Sequence, residues 1–241
     1  VTARDDNRAA AGGHTTKATR LGSVVAVADR LLANAAGANG YRTMIVSATN
    51  AIDTRPKAID LALALAAAGR HVVLVDWSLD GAGIAAIAAV RSTPGFTDLL
   101  KGSAAFEDVI RPASEGAFHL VPCGSPCVSG VEALDPNRIN LLLDALDEAY
   151  DDVVITGTYA AARDLFWAIE GRIDAGVVVE GGRSDGAAES VEPSQRFLGF
   201  EVTEIDVVHL IEPGAKTTSR AAGRRGGVRQ AESPQPATTV S

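Results

Sequence analysis

Four stretches of this chain are apolar at consecutive positions instead of alternate ones: TMIVS at 43–47, HVVLVD at 71–76, DDVVITG at 151–157 and DAGVVVEGG at 174–182. A strand that is apolar on both faces has to be covered on both faces, and a parallel sheet with helices packed on each side meets that condition. The intervening segments supply the helices. Residues 58–68 are mostly Ala and Leu, strong helix formers, and Gly69 closes them. INLLLDALDEAY (139–150) and AARDLFWAIEGRI (161–173) read as two more, GAGIAAIAAV (81–90) and TDLLKG (97–102) as short ones, and FHLVPC (118–123) as a further strand. A last pair is expected as a helix over 186–198, which Pro193 starts, kinks or splits, and a strand over 202–211. The alternation predicts an α/β fold: a doubly wound, mostly parallel sheet of about six or seven strands with helices on both faces.

With 241 residues, 46% of them hydrophobic, the chain can bury one sizeable core. Its ends differ from its middle. Residues 1–20 are small and polar, and 213–241 are rich in Gly, Pro, Ser and Thr, so neither end can offset the entropy of being ordered. The expected organisation is a disordered segment at 1–20, one α/β domain at 21–212 and a disordered basic tail at 213–241. That tail carries Lys216, Arg220, Arg224, Arg225 and Arg229 against Glu232 alone. A net charge of −8 argues against a general nucleic-acid binder, whose phosphate contacts need clustered Lys and Arg. Apolar runs such as 61–68 and 83–90 fall far short of the ~20 residues of a membrane-spanning helix. No stretch has the order of a secretory signal, so the expected location is the cytoplasm. Cys123 and Cys127, in PCGSPC, are too few for a disulfide framework or a local zinc site, even with His119 nearby, and are read as reduced thiols.

In a doubly wound sheet ligands bind beyond the carboxyl ends of the strands, which places the chemistry in the loops after Ser47, Asp76 and Thr156. The first strand ends in Ser47-Ala48, the helix after it holds Asp60-Leu61-Ala62, and the second strand ends in Leu74-Val75-Asp76. Further on come GFTDLLKGSAAFEDVI (95–110), FHLVPCGSP (118–126), AYDDVVITG (149–157) and Asp174 ahead of VVVE. This order of short motifs, from about Tyr41 to Ile211, resembles the cytoplasmic P-loop domain of the bacterial tyrosine autokinases (BY-kinases). These are the polysaccharide co-polymerase partners of exopolysaccharide export and relatives of the MinD/ParA ATPases. The resemblance implies a P-loop NTPase-like fold and a site for ATP and Mg²⁺. It also implies homo-oligomers, a membrane-embedded polysaccharide co-polymerase or chain-length regulator as partner, and a peripheral position at the inner membrane through that partner.

The loop itself departs from the family. A P-loop works because glycines let successive N–H groups turn around the phosphates, a lysine reaches the β/γ oxygens and a hydroxyl holds Mg²⁺. In register with the family's Pro-Gly-Glu-Gly-Lys-Ser/Thr, Ala51 and Asp53 stand at the glycines, Thr54 at the lysine and Arg55 at the hydroxyl, followed by Pro56. Lys57 lies three residues past the lysine position. Asp76 is kept, but Ser78 and Thr156 stand where the family's other two aspartates are usual. Phosphoryl transfer is positioning plus electrostatic stabilisation, so the joint losses imply a site without catalysis. The family's C-terminal tyrosine cluster is missing as well, since the last tyrosine is Tyr159. Trp77 stands where a small residue is usual and is placed to cover the old nucleotide pocket.

The reading is a subunit with degenerate Walker motifs that acts as a structural or regulatory partner in capsule-type exopolysaccharide biosynthesis and export. It has no cofactor, catalytic residue or metal site, and Asp53, Thr54, Arg55 and Asp76 are vestigial binding positions. Two alternatives stay open. One is an active tyrosine kinase or ATPase that binds ATP and Mg²⁺ through Arg55 or Lys57 in an altered loop; the other is a MinD/ParA-like positioning ATPase, favoured only by the basic tail. Asp76 is equally well explained as the cap of the turn that follows it. His71, His119 and His209, in or beside apolar strands, read as packing residues, and Ser125 and Ser129 lack a histidine partner for nucleophilic catalysis.

Overall fold

A computed structural model describes residues 19–35, 37, 39–48, 52–79, 83–126, 135–181 and 196–212. The two terminal segments expected to be disordered lie outside the described residues, apart from Thr19 and Arg20. In chain order the elements are β1 (Thr19–Leu21), α1 (Val24–Ala35), β2 (Tyr41–Ser47), α2 (Arg55–Ala67), β3 (Val72–Asp76), α3 (Phe96–Lys101), α4 (Phe106–Val109) and β4 (Arg111–Ala113). They continue with β5 (Phe118–Val121), α5 (Pro136–Ala149), β6 (Asp152–Thr156), α6 (Tyr159–Ala168), β7 (Ala175–Gly181), β8 (Arg196–Phe197), β9 (Phe200–Glu201) and β10 (Asp206–Glu212).

Eight strands form one sheet in the order β1-β10-β7-β2-β6-β3-β5-β4, parallel throughout except where β4 runs against β5. This is the doubly wound, P-loop NTPase-like sheet expected from the consecutive apolar runs. Every residue of β2, β3 and β6 is buried, as it must be where helices cover both faces. Strand alternation divides the core in two. Ile45, Leu74, Val154 and Val177 pack with Leu31 of α1 and Leu61 and Leu65 of α2. Met44, Val75, Val153 and Ile155 pack with Leu99 of α3, Leu143 of α5 and Leu165 of α6. In α5, Asp135 accepts the N–H of Asn137 at 3.0 Å and Pro136 opens the first turn. Ile139, Leu142, Leu143 and Leu146 then recur at helical spacing on its buried face.

Guanidinium–carboxylate pairs hold the amino ends of the strands. Arg42 donates through Nε and Nη2 to both oxygens of Asp147, at 3.1 and 2.7 Å, and through Nη2 to Asp144 at 2.6 Å. Arg30 grips Asp206 at 2.8 and 2.6 Å beside Asn34, and Arg70 meets Asp152 at 2.7 Å. The edge strands β1 and β4 are three residues each, and β4 has Pro112 at its centre.

The architecture differs from the sequence reading in several elements, and the sheet has eight strands where about six or seven are expected. β1 and α1 were not anticipated, although Val27, Ala28, Leu31 and Ala35 form a helical apolar stripe. The expected helix over 186–198 lies mostly outside the described residues, and its last part is instead the β8–β9 hairpin. The reason is the two-residue turn: Leu198 and Gly199 both have positive φ, 53° and 85°, as a tight hairpin turn requires. It brings Phe197 over Gly176 of β7, so close that a Cβ there would stand 2.5 Å from the ring. Among the described residues no helix is long and apolar enough to cross a membrane.

Candidate functional site

Because β2, β6 and β3 are neighbours, the loops after Ser47, Thr156 and Asp76 meet at the carboxyl edge of the sheet. Thr49, Asn50 and Ala51 lie outside the described residues. From Ile52 onward the loop closes on itself. Asp53 accepts the backbone N–H of Arg55 at 3.0 Å through Oδ1 and takes the Arg55 guanidinium in a fork, 2.8 Å from Nε to Oδ1 and 2.9 Å from Nη2 to Oδ2. The start of α2, where a P-loop fold presents N–H groups to phosphate, thus holds the chain's own carboxylate. Thr54, in the lysine position, is buried, and its Oγ1 lies 3.2 Å from Oγ1 of Thr156. Lys57 sits in the first turn of α2, 3.8 Å from Asp60.

Asp76 is 1% exposed. Its Oδ1 accepts the N–H of Ser78 at 3.0 Å and its Oδ2 that of Ile84 at 2.7 Å. It ties down the loop that leads into the single 3₁₀ turn at Ile84–Ala86, the remnant of the helix expected over 81–90. Gly83 is what lets the carboxylate reach, since a Cβ on it would come 2.1 Å from Oδ2. From the other side Nη1 of Arg55 donates to the carbonyl of Gly83 at 3.4 Å. The structure therefore brings Asp53, Thr54, Arg55 and Asp76 to one crevice, linked through Gly83–Ile84 and Thr156. Trp77 is a correction: it does not cover this crevice. Its indole is 1% exposed, donates through Nε1 to the carbonyl of Ala161 at 3.0 Å and lies edge-on to Phe96 at 5.3 Å. The alternation of β3 carries it into the core under α3 and α6.

The electrostatics follow from these contacts. The hydrogen bond from the Arg55 guanidinium, helped by the Arg55 backbone N–H and by the guanidinium's charge, holds the Asp53 carboxyl below the usual carboxylate range against the opposing effect of partial burial. A lowered folded value means that the pair's contribution to stability is present above the ordinary carboxylate range and is lost as pH falls through the lowered midpoint. Both side chains are substantially exposed, 32% and 47%, so the effect on global stability is small. The local effect is measurable: Arg55→Ala is expected to raise the Asp53 titration midpoint back toward its ordinary range, followed by carboxyl carbon NMR. An unchanged midpoint would mean that the fork does not persist in solution. Among the described residues no group of three His, Cys, Asp or Glu is placed to hold a metal ion. Cys123 is buried beyond β5, while Cys127 lies outside the described residues.

Solved structures share this architecture. The VpsO kinase domain superposes with a TM-score of 0.63 at 23% identity, covering 79% of this chain and 95% of that one. The kinase domain of the Escherichia coli tyrosine kinase ETK gives 0.62 at 21% identity, covering 84% and 79%. The chain has the fold of a bacterial tyrosine-kinase domain. The tyrosine-protein kinase ptk of Acinetobacter johnsonii is 28% identical over 96 residues, which is 40% of this chain and 13% of that protein. No family model matches. The kinase fold accounts for the loops that converge beyond β2, β3 and β6; what occupies those loops here is Asp53, Arg55 and the Asp76 tie.

Proposed function

We propose that the chain is a non-catalytic counterpart of the tyrosine-kinase domains whose fold it shares. In this reading it serves as a structural or regulatory subunit of exopolysaccharide synthesis and export, beside a membrane-embedded co-polymerase partner. The observation that carries the first part is the Asp53–Arg55 fork. A phosphate at the start of α2 would have to displace a carboxylate already paired there, and Thr54, in the place of the lysine, is engaged with Thr156. Asp76, 1% exposed, ties two backbone N–H groups of its own loop, and in this reading it serves the loop and not a magnesium ion. These residues do not suit a nucleotide–magnesium pair, and no nucleotide cofactor is proposed. The pathway and the partner rest on the likeness to the kinase domains alone.

One observation favours the active alternative: Arg55 places a guanidinium at the mouth of the crevice, where a phosphate could exchange for Asp53. Calorimetric titration with ADP and ATP, with and without Mg²⁺, separates the two. The expected result is no heat at millimolar nucleotide in a folded sample. Micromolar, magnesium-dependent binding that disappears in Arg55→Ala would establish the alternative.

A further inference from the structure

Trp167 on α6 is 73% exposed, yet its indole is not loose. It stacks on Phe200 of β9 with centroids 5.9 Å apart at 23°, Phe200 stacks on Phe166 at 5.3 Å and 27°, and the Arg163 guanidinium sits 5.4 Å above the Phe200 ring. Beside this platform runs a groove of about 680 Å³ whose walls include Trp167, Phe200 and Val202 together with Glu170, Glu201 and Glu204. Carboxylates outnumber cations in it. Its one lining guanidinium, Arg172, is paired with Asp144 at 2.9 Å, and Glu201 meets Arg196 at 3.2 Å. Glu170 and Glu204 make no side-chain hydrogen bond or ion pair with another described residue. A platform of aromatic faces bordered by carboxylates is the complement of a guanidinium, which can lie on the ring and donate its N–H fork outward, and the Arg163 guanidinium already sits over Phe200.

The chain carries such a ligand. Residues 220–229, RAAGRRGGVR, hold four arginines and no acid. We propose that this groove is the docking site of the chain's own C-terminal segment, with Arg220, Arg224, Arg225 and Arg229 supplying guanidinium groups to Trp167, Glu170, Glu201 and Glu204. Reach supports a contact within one chain. Glu204 and Ile205 immediately precede Asp206, so the groove lies at the amino end of β10, whereas the chain leaves that strand at Glu212. Retracing seven residues of strand takes about seven extended residues at ~3.3 Å each. Lys216, four residues past Glu212, falls short; Arg220, eight past, arrives, and Arg224 and Arg225 have slack. A tether of this length holds the ligand at a millimolar effective concentration, so a contact weak between separate molecules is filled within one.

The test uses the full chain and its two tryptophans. Trp77 is buried, so acrylamide quenching of the accessible emission reports Trp167. Replacing all four arginines by alanine is expected to raise the quenching constant severalfold. The triple variant Glu170→Gln, Glu201→Gln, Glu204→Gln is expected to do the same with the arginines intact, and 1 M salt to do so in part, since exposed ion pairs are screened. An unchanged unfolding midpoint shows that the fold is preserved in each variant. Equal quenching in the parent and both variants overturns the proposal. Protection that vanishes on dilution also overturns it and assigns the groove to a second copy of the chain.

Discussion

Arg42→Ala is expected to lower the free energy of unfolding by about 3–5 kcal/mol, the range seen when one partner of a buried pair is removed. Arg42 lies in the central strand β2 and is 3% exposed; Asp147, which it grips with two hydrogen bonds, is 6% exposed. The cost lies mainly in what stays behind, a carboxylate out of water without its guanidinium fork. Arg42 also anchors Asp144 and reaches the carbonyl of Arg172 at 3.3 Å, so the loss spreads from β2 to α5 and to the turn before β7. The complementary variant Arg42→Met with Asp147→Leu should recover most of the loss, because replacing both members of a buried pair with apolar groups is often close to neutral. Denaturant unfolding of the parent and the two variants measures it. A single-variant cost below about 1 kcal/mol would mean that water reaches the pair.

Asp76→Ala is expected to cost about 3 kcal/mol by orphaning two buried N–H groups, of Ser78 and Ile84, at about 1–3 kcal/mol each. The informative companion is Gly83→Ala. Its Cβ would collide with Asp76 Oδ2, so alone it is expected to cost about 1–3 kcal/mol as an overpacked site. In the Asp76→Ala background the obstacle is gone and the added cost should be small, giving a coupling that identifies the carboxylate as the loop's anchor. Additive costs would refute that assignment. A structural role further predicts that Asp76→Ala changes stability without changing the calorimetric response to nucleotide.

Which parts of this fold were legible in the sequence depends on the range of the forces that set them. β3, β6 and β7 show themselves because burial on both faces demands consecutive Val, Ile and Leu. Asp53 and Arg55 could be singled out from the sequence because they fall within three residues in the turn of a strand–turn–helix, but that they pair with each other is seen only in the structure. Asp76 could be located and read as a turn cap, which its bond from the Ser78 N–H matches, but its second tie, to the N–H of Ile84 eight residues on, depends on the approach of Gly83 and has no local signal. Arg42 and Asp147 are 105 residues apart and follow no local pattern. The β8–β9 hairpin escaped for a different reason. Two-residue turns of this kind are usually marked by Asn-Gly or Asp-Gly, but here Leu198 takes the first positive-φ position. Trp77 was misplaced because it was judged by its neighbour Asp76 and not by the direction in which β3 delivers it.

The margins of the sheet bear on how the molecule meets its neighbours. β1 and β4 offer three residues each, and the proline at the centre of β4 withholds the one donor that a pairing strand would need there. Among the described residues neither margin presents more than three residues, which disfavours the capture of an extended peptide by strand addition. Within the described residues, contacts between copies of this domain are therefore favoured through helices and loops over pairing of sheet edges.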